Sequence, residues 1–177
     1  MTSPYGADVI TLPLAWLTAV ATSDARMAVF GLRTLYGVVR FLHLMTMAGL
    51  IGFSALLDLR GLGLFPPGAL DAARPRLGLL LACCFWGAVA TGLGLFLYNP
   101  LGIGLHTMFL PKLMLVAGGY ALATARRRVG WLRAHARPAA LVSLAVWVLV
   151  VGASTWNHVE RPVDVGSALR AANVGKR

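Results

Sequence analysis

The sequence predicts an all-α integral membrane protein, a bundle of four transmembrane helices preceded by a short helix in the membrane interface. Three observations predict this fold class. The chain has 177 residues, of which 58% are hydrophobic and 12% are charged, and its mean hydropathy is +0.75. Four apolar segments are about long enough to cross roughly 30 Å of hydrocarbon as helices. Basic residues are concentrated between those segments, which is typical of membrane proteins.

The elements follow in chain order. Residues 1–31 are predicted to form a periplasmic or interfacial segment in which Pro13–Thr22 is a short helix, too short to span a bilayer. The transmembrane domain covers residues 32–157, with spans at about 32–57, 77–98, 107–125 and 139–156. Paired prolines after the first span and Asn99-Pro100 after the second break the helical pattern. Residues 158–177 are predicted to be a periplasmic tail.

The loops predict the orientation of the bundle. Short cytoplasmic loops carry an excess of Lys and Arg, and the loop at 99–106 has neither residue. The loops after the first and third spans hold many arginines, namely Arg60, Arg74, Arg76, Arg126, Arg127, Arg128, Arg133 and Arg137. We therefore expect a multi-pass protein of the bacterial inner membrane with both termini in the periplasm. The net charge of +10 reflects this topology, and no basic soluble module indicates a nucleic-acid partner.

Three of the four histidines are predicted to lie at the periplasmic end of the bundle. His43 lies early in the first span, His106 just before the third, and His158 just after the fourth. Histidines that converge in a membrane protein favour a haem or metal site. The alternative is that each imidazole makes a hydrogen bond across the bundle, without any cofactor.

The helical spacing of the first span defines the candidate haem site. Arg33, Arg40, His43 and Met47 share one helix face. His43 would bind the iron of a b-type haem, Arg40 would contact a propionate, and His106 or His158 would be the second axial ligand. Equally, the two arginines could extend to lipid phosphates.

The same histidines allow a copper site, because imidazole and thioether groups suit copper and Met45, Met47 and Met108 lie near His43 and His106 in sequence. Lys112 interrupts the third span, where a lysine is costly unless it is paired or reaches the interface. It could extend to the interface, pair with Glu160, or contact an anionic ligand such as a propionate or quinone oxygen.

At the cytoplasmic end of the first span, Asp58 and Arg60 are predicted to be structural. We expect an ion pair with the loop arginines, or a hydrogen bond from the carboxylate to a neighbouring helix.

Two motifs carry a family resemblance over about residues 16–125. The first is Phe41-Leu42-His43-Leu44 followed by Gly49, Gly52 and Leu57–Gly63, and the second is Phe109–Leu115 with Lys112 inside it. They resemble a group of bacterial inner-membrane proteins of unknown function with an "LH…G…G…DLR.LG" first helix and an "F..K..LL" third helix. The resemblance implies that His43, Asp58, Arg60 and Lys112 occupy the group's recurrent polar positions. The group is also loosely similar to membrane subunits of b-type cytochromes.

The sequence favours a small membrane subunit of an electron-transfer or bioenergetic complex over a stand-alone enzyme. Its partners would be the lipid bilayer, other membrane subunits, a periplasmic redox protein and quinone. Two alternatives remain open. One is a structural subunit without a cofactor, and the other is a copper-handling membrane protein.

Overall fold

All regular structure in the described part of the chain is helical, so the predicted all-α class is confirmed. The computed structural model describes residues 12–159 apart from positions 67 and 69. A short 3₁₀ turn at Arg33–Leu35 precedes the first long helix. The α-helices are α1 (Leu14–Ala21), α2 (Asp24–Gly31), α3 (Tyr36–Gly61), α4 (Arg74–Tyr98), α5 (Pro100–Gly104), α6 (Phe109–Arg128), α7 (Gly130–Ala134) and α8 (Ala136–Val159).

Three of the described helices are long and apolar enough to cross a membrane. They are α3, α4 and the part of α8 from Ala136 to Trp156. Helix α6 has 20 residues, but Lys112 near its start and the arginines at its end lower its hydropathy. The structure thus gives three candidate spans where the sequence predicted four.

The short helix α1 lies where the sequence predicted an interfacial helix, and it packs against the end of the bundle. Leu17 is fully buried, and it lies against Gly104 of α5, where an added Cβ would be 2.4 Å from Leu17 Cδ2. The ring of Trp16 stacks on Phe96 with centroids 5.9 Å apart. The helices α2, α5 and α7 were not predicted individually.

The long helices alternate in direction, and α3 lies between α4 and α8. Along the contact with α4, Val39 lies against Gly94 and Gly49 lies against Cys84, so the two helices are antiparallel. Helix α8 also packs on α6. The order of packed neighbours is therefore α4, α3, α8 and α6.

The core lies at the centre of these four helices. Its buried residues come from every long helix and are Leu50, Leu81, Ala123, Trp147 and Val150. Between α4 and α6 the space is filled by aromatic rings, since Phe85 stacks on Tyr120 with centroids 3.9 Å apart. The outward faces of all four helices, including that of α6, expose large apolar side chains, as expected of helices in contact with lipid.

Candidate functional site

Two polar clusters join α3 to its neighbours, one near each end of the helix. We call them the His43 cluster (His43, Thr91 and Lys112) and the Asp58 cluster (Asp58, Arg126 and Ser143). Each cluster pairs a residue of α3 with a residue of α6, since Lys112 acts electrostatically on His43 and Arg126 pairs with Asp58. The two helices are therefore parallel. At 1.5 Å per helical residue, the clusters are roughly 22 Å apart along the bundle.

His43 is half-buried and faces α4. Its Nδ1 lies 3.0 Å from the hydroxyl oxygen of Thr91, and the Ala88 backbone also interacts with the ring. Gly92 makes room for the imidazole, because an added Cβ would be 3.1 Å from His43 Cε1. The close approach of α3 and α4 thus holds the ring in place.

The hydroxyl of Thr91 allows one useful arrangement of the His43 ring. Thr91 Oγ1 lies 2.6 Å from the backbone carbonyl of Gly87, to which it can donate its single hydrogen. With that hydrogen on the carbonyl, the same oxygen accepts from His43 Nδ1–H. In this tautomer of the neutral ring, Nε2 has the lone pair that a ligand could use.

Lys112 lies in the first turn of α6 and is half-buried. It acts electrostatically on the imidazole of His43. The sequence left the partner of Lys112 open, and Glu160, one of the candidates, lies outside the described residues.

Of the other predicted ligands, the side chains of His106 and Arg40 are described. His106 is half-buried between α5 and α6 and has an interaction of its own. Arg40 is exposed one turn before His43 on α3. His158 belongs to the last turn of α8, but its side chain lies outside the described residues. Within the described part of the chain, no three His, Cys, Asp or Glu side chains are grouped to hold a metal ion.

The packing of α3 against α4 limits where a haem could lie beside His43. An added Cβ on Gly87 would be 2.8 Å from Thr46 Cγ2, so α3 and α4 are too close for a macrocycle to lie between them. A haem bound by His43 Nε2 would have to lie on the side away from α4. Among the described residues, His43 would hold the iron and Lys112 would contribute a positive charge.

The Asp58 cluster lies near the end of the bundle that holds the basic loops. Asp58 is 1% exposed, and Arg126 donates to its Oδ1. Of the two predicted alternatives, the ion pair of Asp58 with one of the arginines assigned to the loops is thereby confirmed, although Arg126 lies in the last turn of α6. The buried Ser143 of α8 acts on the carboxylate, but without meeting hydrogen-bond geometry, so Asp58 Oδ2 and Ser143 Oγ have no described hydrogen-bond partner.

A cleft of about 340 Å³ opens beside the Asp58 cluster. Its charged lining residues are Asp58, Arg60, Arg74 and Arg126. Arg60 also pairs with Asp71 at the surface. The apolar lining residues include Leu57, Ala123 and Leu132. Sequence reasoning found the basic loops but not this cleft, since its walls come from α3, α4, α6, α7 and α8.

Two partners were missed from the sequence for a similar reason. Thr91 and Ser143 were read as ordinary positions of apolar spans, yet each faces a charged or titratable group of α3. In the sequence, Thr91 and Ser143 are recognisable only as small hydroxyl residues inside apolar helices. Because such residues often form hydrogen bonds with the backbone of their own helix, the sequence does not show which side chain each of them contacts.

Comparison with known proteins adds no relative: no family model, no curated protein and no solved structure matches the chain. The family resemblance carried by the first and third spans stays a prediction.

Proposed function

We propose that the chain is a small subunit of an electron-transfer complex in the bacterial inner membrane, and that it binds b-type haem through His43. In this proposal α3, α4, α6 and α8 all cross the membrane, with the Asp58 cluster at the cytoplasmic end. The haem would supply reversible one-electron transfer between a periplasmic redox partner and quinone. The His43 cluster would hold it near the periplasmic face.

The observation that carries the proposal is the hydrogen bond between His43 and Thr91. A ligating histidine commonly donates its second ring N–H to a protein oxygen, which fixes its tautomer and orientation. Here the hydroxyl oxygen of Thr91 lies 3.0 Å from Nδ1, so the acceptor that a ligating histidine uses is present, and Nε2 would be the ligating nitrogen.

Two cations suit the propionates of a bound haem. Lys112 is half-buried beside His43, where an anionic partner would stabilise its charge. Arg40 lies one turn along α3 towards the periplasmic end and would bind a propionate nearer the surface. The second axial ligand would be His106, in the connection between α5 and α6, or His158, in the last turn of α8.

A cofactor-free structural subunit is the second candidate, and the same contacts support it. The bond between His43 and Thr91 joins α3 to α4, and the ring fills the space beside Gly92. Both features also describe a histidine that fixes how two helices pack. In this case the exposed apolar faces would dock on larger membrane subunits. A further alternative is that the histidines bind copper. Metal analysis of the purified protein would distinguish this alternative from a cofactor-free subunit.

A visible difference spectrum of the purified protein, reduced minus oxidised, tests the proposal. The protein is produced with haem supplied, and bound haem is quantified as the pyridine haemochrome. We expect an α-band typical of b-type haem that is lost in His43→Ala. The matched control is His135→Ala, since His135 is exposed at the other end of the bundle and bonds the Trp131 carbonyl.

The Thr91→Val variant tests whether Thr91 orients the His43 ring, separately from whether His43 binds the haem iron. It removes the acceptor of His43 Nδ1–H but keeps the side-chain volume, so we expect haem to remain bound with an altered midpoint potential. A featureless spectrum from folded, haem-supplied protein would contradict the proposal and favour the structural subunit. An α-band that survives His43→Ala would remove His43 as the ligand.

A further inference from the structure

The cleft beside the Asp58 cluster is positively charged. Three arginines line it against one carboxylate, and the carboxylate is already neutralised by Arg126. Asp71, the surface partner of Arg60, is 59% exposed, so water screens much of its charge. The cleft therefore favours an anion, and its volume of about 340 Å³ falls within the range of small-molecule sites, about 300–1,000 Å³.

Arg74 is the arginine of the cleft that is free to bind a ligand. It is exposed in the first turn of α4, and its guanidinium makes no hydrogen bond or ion pair with the described residues, although its backbone N–H donates to the Asp71 carbonyl. Arg60 and Arg126 are both engaged, but each guanidinium has five N–H donors and can serve a second acceptor. Three guanidinium groups around one cleft suit the several oxygens of a phosphate.

Asp58 does not oppose an anion in the cleft. Its carboxylate is buried and paired with Arg126, and the buried hydroxyl of Ser143 acts on it as well.

We propose that this cleft binds a phosphate ester, with Arg60, Arg74 and Arg126 on the phosphate. Phosphatidylglycerol headgroups and soluble glycerol phosphate share this chemistry. The site does not involve His43, so its test is independent of the test of the haem proposal. Basic pockets between helices at the cytoplasmic face are known to suit anionic lipid headgroups.

The test uses the full chain, stripped of lipid in mild detergent, and titrates three probes. They are phosphatidylglycerol, phosphatidylcholine and sn-glycerol 3-phosphate, and binding is followed by native mass spectrometry. The variant is Arg74→Gln, and its matched control is Arg76→Gln. Arg76 is exposed in the same turn of α4 but does not line the cleft. Both variants remove one surface charge, so we expect both to keep the melting temperature of the parent protein.

We expect saturable binding of phosphatidylglycerol that weakens roughly tenfold in Arg74→Gln, as for the loss of one bond to a charged group. Arg76→Gln should bind like the parent protein, and phosphatidylcholine should not saturate. Saturation by glycerol phosphate alone, with the same dependence on Arg74, would support the site and identify a soluble ligand. Equal losses in both variants, or no saturation by either phosphate probe, would overturn the proposal.

Discussion

Asp58 and Arg126 form an ion pair between α3 and α6, and the two side chains differ in burial, at 1% and 13% exposed. The sequence predicted an arginine partner for Asp58 because an isolated carboxylate at the end of an apolar span is costly. It could not choose among the loop arginines, since that choice depends on where α6 ends and how it is rotated. Gly61 contributes as well, because an added Cβ there would be 2.5 Å from Arg126 Nη2.

Replacing Arg126 should destabilise the protein far more than replacing Arg60. Arg126→Gln leaves the Asp58 carboxylate buried and unpaired, which costs about 3–5 kcal/mol of unfolding free energy. Arg60→Gln removes a pair with a partner that is 59% exposed, which costs about 1 kcal/mol or less. Reversible denaturation in mixed micelles measures both. Equal losses in the two variants would contradict the assignment of Asp58 as a buried charge held by Arg126.

His43 shows what a single residue in a sequence can and cannot reveal. Helical spacing placed it on one face with Arg40 and Met47, but the structure turns His43 towards α4 and packs Met47 against the core. A spacing pattern shows which residues share one face of a helix, but it does not show which neighbouring helix that face contacts. Thr91 was therefore identified as the partner of His43 only from the structure. The role of His43 as a ligand stays a prediction.

At the scale of helices, the contact between α3 and α4 depends on small residues. An added Cβ on Gly87 would be 2.8 Å from Thr46 Cγ2, and one on Gly49 would be 2.7 Å from Cys84 Sγ. Small residues at helical spacing, such as Gly87 and Thr91 of α4, are typical of tight helix packing. The pattern does not identify α3 as the partner helix, since small residues such as Gly118 and Gly119 also occur on α6.

Gly87→Ala should weaken the α3–α4 contact. The new methyl group overpacks against Thr46, and we expect a loss of about 1–3 kcal/mol in unfolding free energy. Gly118→Ala on α6 is the matched control, because an added Cβ there meets nothing within 4 Å; a slight stabilisation of about 0.5–1 kcal/mol is expected. The same denaturation assay measures both. A neutral Gly87→Ala, with the control behaving as stated, would contradict the close contact of these helices.

Helix α6 shows where hydropathy alone falls short. Its polar residues lie at its two ends, with Lys112 in the first turn and the arginines in the last. Between them the helix exposes Leu113 and Met114, at 50% and 65%, much as its neighbours expose their outward faces. Lys112 lies beside His43 and Arg126 bonds Asp58, so two charges that lower its hydropathy are directed into the bundle.

For the whole molecule, the sequence was informative about the fold class, and it gave little information about function. Composition and apolar length predicted a helical protein because they describe every residue at once, and the structure is helical where it is described. The cleft at the Asp58 cluster combines side chains from five helices, so no local pattern could reveal it. The two polar clusters are roughly 22 Å apart along the bundle.

The central claim is that α6 crosses the membrane as the fourth span, since both proposed sites use one of its ends. Cysteine labelling tests it directly in a background with Cys83 and Cys84 replaced by alanine. Leu105→Cys precedes α6 and Ala134→Cys follows it, and each is probed with a membrane-impermeant maleimide in intact cells of a Gram-negative host whose outer membrane admits the reagent.

We expect the reagent to label Leu105→Cys in intact cells and Ala134→Cys only after the inner membrane is opened. The reverse pattern would keep α6 as a span but contradict the orientation. Labelling of both positions in intact cells, or protection of both, would place them on one side and contradict the four-span account.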